Sequence, residues 1–320
     1  MSAHIGLIVN PASHAVARRG SMLEAAALDL PGACFLRLDD FRRLAPCIRQ
    51  MAGAGVRQIF VEGGDGTLLA VLSACLAPDA GFADLPDFAI LPGGSTNLAA
   101  RSFGFRGKTA GEITGRITAL AEGGPATREE HRALNVESRA LDHPMVGFVL
   151  STGSLARAML YTQRQFHGEG QRGSRAVAGA IARFLLAPGS YRDVDGAPVL
   201  RASNLTVTTP QTTIVGAHAF GLISPLPRLS LGLAPFWGEG AGALAMTHAA
   251  WPVRGLRRAL IKVMLRLTGA GMARHGFTSL RSDTIDLLHH DPVMIDGEIL
   301  PMAADRRLHI STTAPLGFLR

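Results

Sequence analysis

Ile59-Phe60-Val61-Glu62-Gly63-Gly64-Asp65-Gly66-Thr67-Leu68-Leu69 is the stretch on which the reading of this chain turns. A short apolar run of β type empties into a Gly-Gly-Asp-Gly-Thr turn, and an apolar helical pattern, Thr67–Leu76, follows. Glycines let a backbone turn sharply and approach a bound group closely. The helix start beyond them presents N–H groups that have no partner within the helix and suit an anion. An aspartate inside such a turn would repel a phosphate that it faced. Asp65 is therefore expected to meet a metal ion or to accept a proton beside the phosphates. The bland reading of the same residues is a structural strand-to-helix turn.

Working outward, the same punctuation recurs. The strand Ile5–Val9 ends in Asn10-Pro11-Ala12-Ser13, and the strand Phe88–Leu91 ends in Pro92-Gly93-Gly94-Ser95-Thr96-Asn97. Helical patterns over Ser21–Leu28, Phe41–Gly53, Thr67–Leu76 and Thr109–Glu122 alternate with strands over Ala33–Leu38 and Arg57–Val61, and a further helix begins over Leu98–Ser102. Alternation of this kind predicts a doubly wound α/β unit, a parallel sheet with helices on both faces. Ligands in such sheets sit at the carboxyl ends of the strands, so the three turns are expected to converge.

After Gly123-Gly124-Pro125 the pattern changes. Ala133–Glu137, Met145–Leu150, Val199–Thr208 and Thr213–Ile223 read as strands of a mainly antiparallel, sandwich-like β domain. Helical insertions are expected at Leu155–Arg164 and Arg175–Leu186, joined by the Gly-rich loop His167–Ser174. The expected division is residues 1–131 for the α/β domain and 132–320 for the β-rich domain, with the C-terminal segment packing back on the first domain.

Composition narrows the classes. The 320 residues are 47% hydrophobic and carry a net charge of +7, which points to a folded protein with an anionic partner. Cys34, Cys47 and Cys75 show no metal-ligand spacing and fit a reducing, cytoplasmic location. The N-terminus does not read as a signal peptide, and no run is apolar enough to span a bilayer, so any membrane contact is expected to be peripheral. Two tryptophans, two tyrosines and no recognised module argue against nucleic acid.

One candidate for that membrane contact is the helix expected over Val253–Thr268. Leu256, Leu260, Val263, Met264 and Leu267 share one face, and Arg254, Arg258, Lys262 and Arg266 recur on another. Between Gly240 and Ser282 there is no acidic residue. A basic amphipathic helix after Trp237 and Trp251 suits an anionic membrane surface, although a solvated basic face has the same pattern. Near the end, Asp296-Gly297 between apolar runs is a hairpin signal, and Glu298 stands just past it as a candidate carboxylate. His289-His290 is not read as a metal pair, because neighbours in a strand point to opposite faces.

Taken in order, these motifs resemble the diacylglycerol kinase catalytic family, which includes the sphingosine and ceramide kinases and bacterial lipid kinases. The matching residues are Asn10-Pro11-x-Ser13, Gly63-Gly64-Asp65-Gly66-Thr67, Pro92-x-Gly94-Ser95-x-Asn97 with Ala100-Arg101, Gly147-Phe148 to Gly153-x-x-Ala156, and Asp296-Gly297-Glu298. The resemblance implies a nucleotide-binding α/β domain, a β-rich domain and an active site in the cleft between them. It implies ATP and Mg2+ as cofactors and a lipid hydroxyl as acceptor. Asn10, Gly63, Gly64, Gly66, Thr67, Gly94, Ser95 and Asn97 would bind the nucleotide. Asp65 would be base or magnesium partner, and Glu298 would reach the same centre.

The chain departs from the pattern at Leu69 and Ala70, where many members have Asn-Glu, and at Leu98 and Ala99, where many have Asp-Phe. Gly94-Ser95 is more like the sphingosine and ceramide branch, yet Arg157, Ala158 and Met159 follow where an amine-binding enzyme has acidic residues, so a diacylglycerol or ceramide is expected. NAD kinases and phosphofructokinases use a similar Gly-Gly-Asp-Gly turn, which keeps a soluble acceptor as the alternative. The apolar replacements keep open a silent nucleotide- or lipid-binding module.

Overall fold

A computed structural model describes residues 4–94, 97–169, 190–193, 195–229 and 232–320. The helix expected over Arg175–Leu186, residues 170–174 of the loop before it, Ser95 and the His167 side chain lie outside the described residues. The chain forms two compact units, Met1–His131 with Ala314–Arg320, and Arg132–Thr313.

In the first unit, the described residues form a six-stranded sheet. Strands β1 (Ile5–Val9), β2 (Cys34–Arg37), β3 (Gln58–Gly63) and β4 (Asp87–Pro92) run parallel in the order β2-β1-β3-β4. The last strand of the chain, β17 (Leu316–Leu319), adds parallel to β4, and β5 (Arg128–His131) closes the edge antiparallel to it. Both faces are covered. Helices α2 (Met22–Leu28) and α6 (Ala110–Ala121) start on Ser21 and Thr109, whose hydroxyls accept from Glu24 N–H at 2.9 Å and Glu112 N–H at 3.2 Å. These are Ser/Thr-x-x-Glu starts that local sequence dictates. Leu23, Ala26, Ile113 and Ile117 pack against Leu7, Val9 and Phe60. Burial of each such large side chain stabilises the fold by about 1.5–3 kcal/mol. On the other face, Met51 of α3 (Leu44–Gly53) fills the place where Gly6 lacks a Cβ.

In the second unit, the described residues form an eleven-stranded sheet whose pairings are antiparallel. Its strands are β6 (Leu134–Glu137), β7 (Met145–Gly147), β8 (Leu150–Thr152), β9 (Ser203–Thr208), β10 (Thr213–Ser224), β11 (Leu244–Ala250), β12 (Phe277–Ser282), β13 (Ile285–His289), β14 (Val293–Ile295), β15 (Glu298–Ile299) and β16 (Arg307–Thr312). β10 is long enough to pair with β9 through Thr213–His218 and with β8 through Gly221–Ile223. A bulge between His218 and Phe220 marks its pairing with β11. The architecture is the α/β-then-β-rich class that the sequence pattern predicts.

Helix α7 (Gly153–Glu169) leaves β8 and is anchored by a buried guanidinium. Arg157 Nε donates to Val199 O at 3.1 Å, Nη1 to Ser203 Oγ and Asp291 Oδ1, both at 2.8 Å, and Nη2 to Ser154 Oγ at 3.1 Å and Arg201 O at 2.9 Å. Burial lowers the Arg157 pKa and Asp291 opposes that fall. A charge this deep is tolerated only because each of its N–H groups has an acceptor.

Two expectations are corrected here. The helix read over Val253–Thr268 is α8, Leu256–Met264. It starts after Gly255, at φ 70°, and cannot continue through Arg266, at φ 56°. Its apolar face also divides: Leu256 is buried, Leu260 and Val263 pack against the core, but Met264 and Leu267 are exposed.

Candidate active site at the glycine turns

The turns after β1, β3 and β4 meet at the point where the strand order reverses, between β1 and β3. In a sheet of order 2-1-3-4 this crevice is where ligands bind. Asn10, after β1, donates from Nδ2 to Thr67 Oγ1 at 2.8 Å, and its Oδ1 accepts from Ala12 N–H at 3.0 Å. The first bond bridges the reversal. Ala15 N–H donates to Gly93 O at 2.7 Å, and Gly93 N–H donates to Gly63 O at 2.8 Å. The expected convergence is therefore a hydrogen-bonded contact among the three turns.

The glycines are explained by that contact. A Cβ on Gly93 would lie 2.8 Å from Gly63 Cα, and one on Gly94 would lie 2.5 Å from Gly64 Cα. A Cβ on Gly63 would meet Thr67 at 2.6 Å. The two glycine pairs thus pack backbone to backbone, and no side chain fits between them. Gly94→Ala is expected to force the turns apart and weaken nucleotide binding by roughly tenfold or more, since overpacking against backbone typically costs ~1–3 kcal/mol. Titration of the variant with a fluorescent ATP analogue checks this.

Asn97, at φ 51°, clamps the second turn on itself: Gly94 N–H donates to its Oδ1 and its Nδ2 donates to Gly94 O, both at 2.8 Å. Its side chain is thereby unable to cap helix α5 (Leu98–Phe103), which begins beside it. Asp65 is the first residue of α4 (Asp65–Cys75), and its carboxylate lies near the backbone N–H groups of Asn97, Leu98 and Ala99 at the start of α5. Burial dominates over these N–H dipoles and over the nearby Arg101 charge, and pushes the Asp65 carboxyl up to about 6. α4 itself has no side-chain cap at its start, Gly64 standing at the N-cap. Gly66 lies in its first turn, and Thr67 is buried. A pocket of about 310 Å³ adjoins the second turn, lined in part by Pro92, Arg101, Phe105, Arg106 and Arg320, a basic setting for an anion.

Sequence reasoning left Glu62 unassigned. It is fully buried at the end of β3. Its carboxylate accepts from Arg19 Nη2 at 3.0 Å, Ser21 Oγ at 2.6 Å and Leu23 N–H at 3.0 Å. Arg19 also donates to Pro92 O at 2.9 Å. This network ties the β4 end and the α2 start to β3, and the one local signal for it is a glutamate inside an apolar strand.

In the second unit, Asp296-Gly297 forms the two-residue hairpin between β14 and β15, at φ 48° and 91°. The Asp296 carboxylate accepts from Phe148 N–H and Val149 N–H, each at 2.8 Å, so it anchors the turn between β7 and β8. Glu298 is exposed on β15. His289, the last residue of β13, is buried, and His290, just past the strand, is exposed. Among the described residues no group of three or more His, Cys, Asp and Glu could hold a metal ion. Asp65 alone at the turns fits a single-carboxylate contact to a magnesium ion carried by nucleotide phosphates.

Residues 4–125 match the family model of the diacylglycerol kinase catalytic domain. The structure also resembles three solved Bacillus anthracis str. Sterne proteins described as diacylglycerol kinases, two of them provisionally. The TM-scores are 0.61, 0.64 and 0.63 at 14%, 14% and 15% identity, with 99% of this chain and 97% of each relative covered. No curated protein matches the chain. The match to the catalytic-domain model thus falls within the first unit, and the chain as a whole shares the fold of those proteins.

Proposed function

We propose that the chain is an ATP-dependent lipid kinase, transferring the γ-phosphate of ATP to the hydroxyl of a diacylglycerol- or ceramide-like acceptor. The observation that carries this reading is the pair of interlocked glycine turns with Asp65 between them, within residues that match the kinase catalytic domain. The uncapped start of α4 offers N–H groups to the phosphates. Asn10, Gly63, Gly64, Gly66, Thr67, Gly94 and Asn97 fix the turns that bind them. Phosphoryl transfer is mostly positioning and charge stabilisation, for which rigid, backbone-packed turns are suited. Magnesium, bound with ATP, neutralises the phosphate oxygens. Asp65 takes the proton of the acceptor hydroxyl. Glu298, an exposed carboxylate on a fixed hairpin, is proposed as the second acidic group of the reaction.

Incubation with γ-labelled ATP, magnesium and mixed micelles of diacylglycerol, ceramide or sphingosine, or with NAD in solution, tests the proposal. Label is expected in a neutral lipid, with a loss on Glu298→Gln. Label in NAD would assign the chain a soluble acceptor. ATP binding with no label in any acceptor would make it a silent nucleotide-binding module. An unchanged rate in Glu298→Gln would leave that residue as part of the hairpin alone.

A further inference from the structure

The large apolar side chains exposed among the described residues are mostly scattered, but five of them fall within a short segment around α8. They are Trp251 (37% exposed), Ile261 (55%), Met264 (66%), Leu265 (62%) and Leu267 (64%). α8 does not need them for its own packing: Leu256 and Ala259 are buried, and Leu260 and Val263 join them against Met272 and Phe277. Ile261 and Met264, three residues apart, share the opposite side of the helix, and Leu265 extends it by a turn. Arg254, Arg257, Arg258 and Arg266 are exposed around this tip, and the sequence has no acidic residue between Glu239 and Asp283.

We infer that α8 and the turn after it seat on the surface of an anionic bilayer, with Ile261, Met264, Leu265 and Leu267 entering the acyl boundary and the arginines meeting lipid phosphates. An apolar tip flanked by the exposed guanidinium groups of Arg254, Arg258 and Arg266 matches a surface that is negative outside and apolar beneath. A second copy of the chain would bring the same arginines face to face, which like-charge repulsion disfavours. Among the described residues no helix is long and apolar enough to cross a membrane, so the contact is one of lying on the surface. The inference goes beyond phosphoryl transfer and stands independently of it, since it rests on this surface alone.

The test is flotation of the whole chain, without ATP or acceptor, on vesicles of phosphatidylcholine alone and of phosphatidylcholine with phosphatidylglycerol. The chain is expected to bind the anionic vesicles at least roughly tenfold more tightly than the neutral ones, and less tightly as salt rises. Ile261→Ser with Leu265→Ser, and separately Arg254→Gln with Arg258→Gln, are each expected to lower binding by roughly tenfold. Because these side chains are exposed, the thermal midpoints of both variants should match the parent. Equal binding to both vesicles, or binding unaltered in both variants, would overturn the inference. So would a dimer in solution that Ile261→Ser with Leu265→Ser converts to monomer, because the tip would then belong to a second copy.

Discussion

Asp65→Asn is expected to lower phosphoryl transfer by roughly 10²–10⁴-fold while leaving the fold intact. Asparagine keeps the shape of the side chain and an oxygen facing the N–H groups of Asn97, Leu98 and Ala99 at the start of α5. What it lacks is the ability to take a proton. Asp65→Ala is a poorer test, because it also removes a buried side chain and loosens the turns around it. Circular dichroism and ATP affinity close to the parent, with the turnover gone, would separate chemistry from structure. Turnover near that of the parent would remove Asp65 from the reaction.

The raised Asp65 value also makes a stability prediction with a definite sign. Its folded-state pKa of about 6 lies above the ordinary 3.8. The folded chain therefore holds this proton more tightly than the unfolded chain does. The stabilisation is fully present below the ordinary value and is lost as pH rises through about 6. Asp65→Asn removes that dependence, so the variant should gain stability relative to the parent on going from mildly acidic to neutral pH.

Arg157→Met is expected to destabilise the second unit by about 3–5 kcal/mol, the cost of removing one partner of a buried charge pair. Methionine fills part of the volume but leaves Asp291, the Ser203 hydroxyl and the Val199 carbonyl without the donor they now have, while Ser154 still donates to Arg201 O. Both tryptophans, Trp237 and Trp251, belong to the second unit. Tryptophan fluorescence in a urea titration therefore reports on that unit alone. Its midpoint should fall sharply in the variant, and adding Asp291→Asn should recover part of the loss. A midpoint within error of the parent would show that Arg157 is dispensable and that its acceptors are satisfied by water.

The elements that local pattern controls were legible in the sequence. Alternating apolar strands and capped helices showed the α/β class, and Asn10, Gly63, Gly94 and Asn97 stood out because each sits where a strand ends in a turn. The Asp-Gly hairpin follows from turn chemistry between two apolar runs. The rest depends on contacts between distant segments. Sequence shows an aspartate in a glycine turn, but not that the Asn97 side chain is held by Gly94 or that Asp65 is buried against the start of α5. Glu62 reads as a blemish in an apolar strand until Arg19, Ser21 and Leu23 are seen around it. β5, Arg-Glu-Glu-His, has no apolar alternation because it is a half-exposed edge strand. The end of α8 was overread because the apolar spacing continues past Met264, whereas the backbone turns away at Arg266 and leaves the last apolar residues in solvent.

The most direct measurement is kcat/KM for γ-phosphate transfer, at ATP and lipid concentrations well below saturation, between about pH 5 and about pH 8, for the parent and Asp65→Asn side by side. A base poised near 6 predicts a parent rate that climbs through that value and levels off, and a variant rate that is very low throughout. A parent rate that does not change across the range, or a variant that transfers phosphate as fast as the parent, would contradict the role given to the glycine turns and their aspartate.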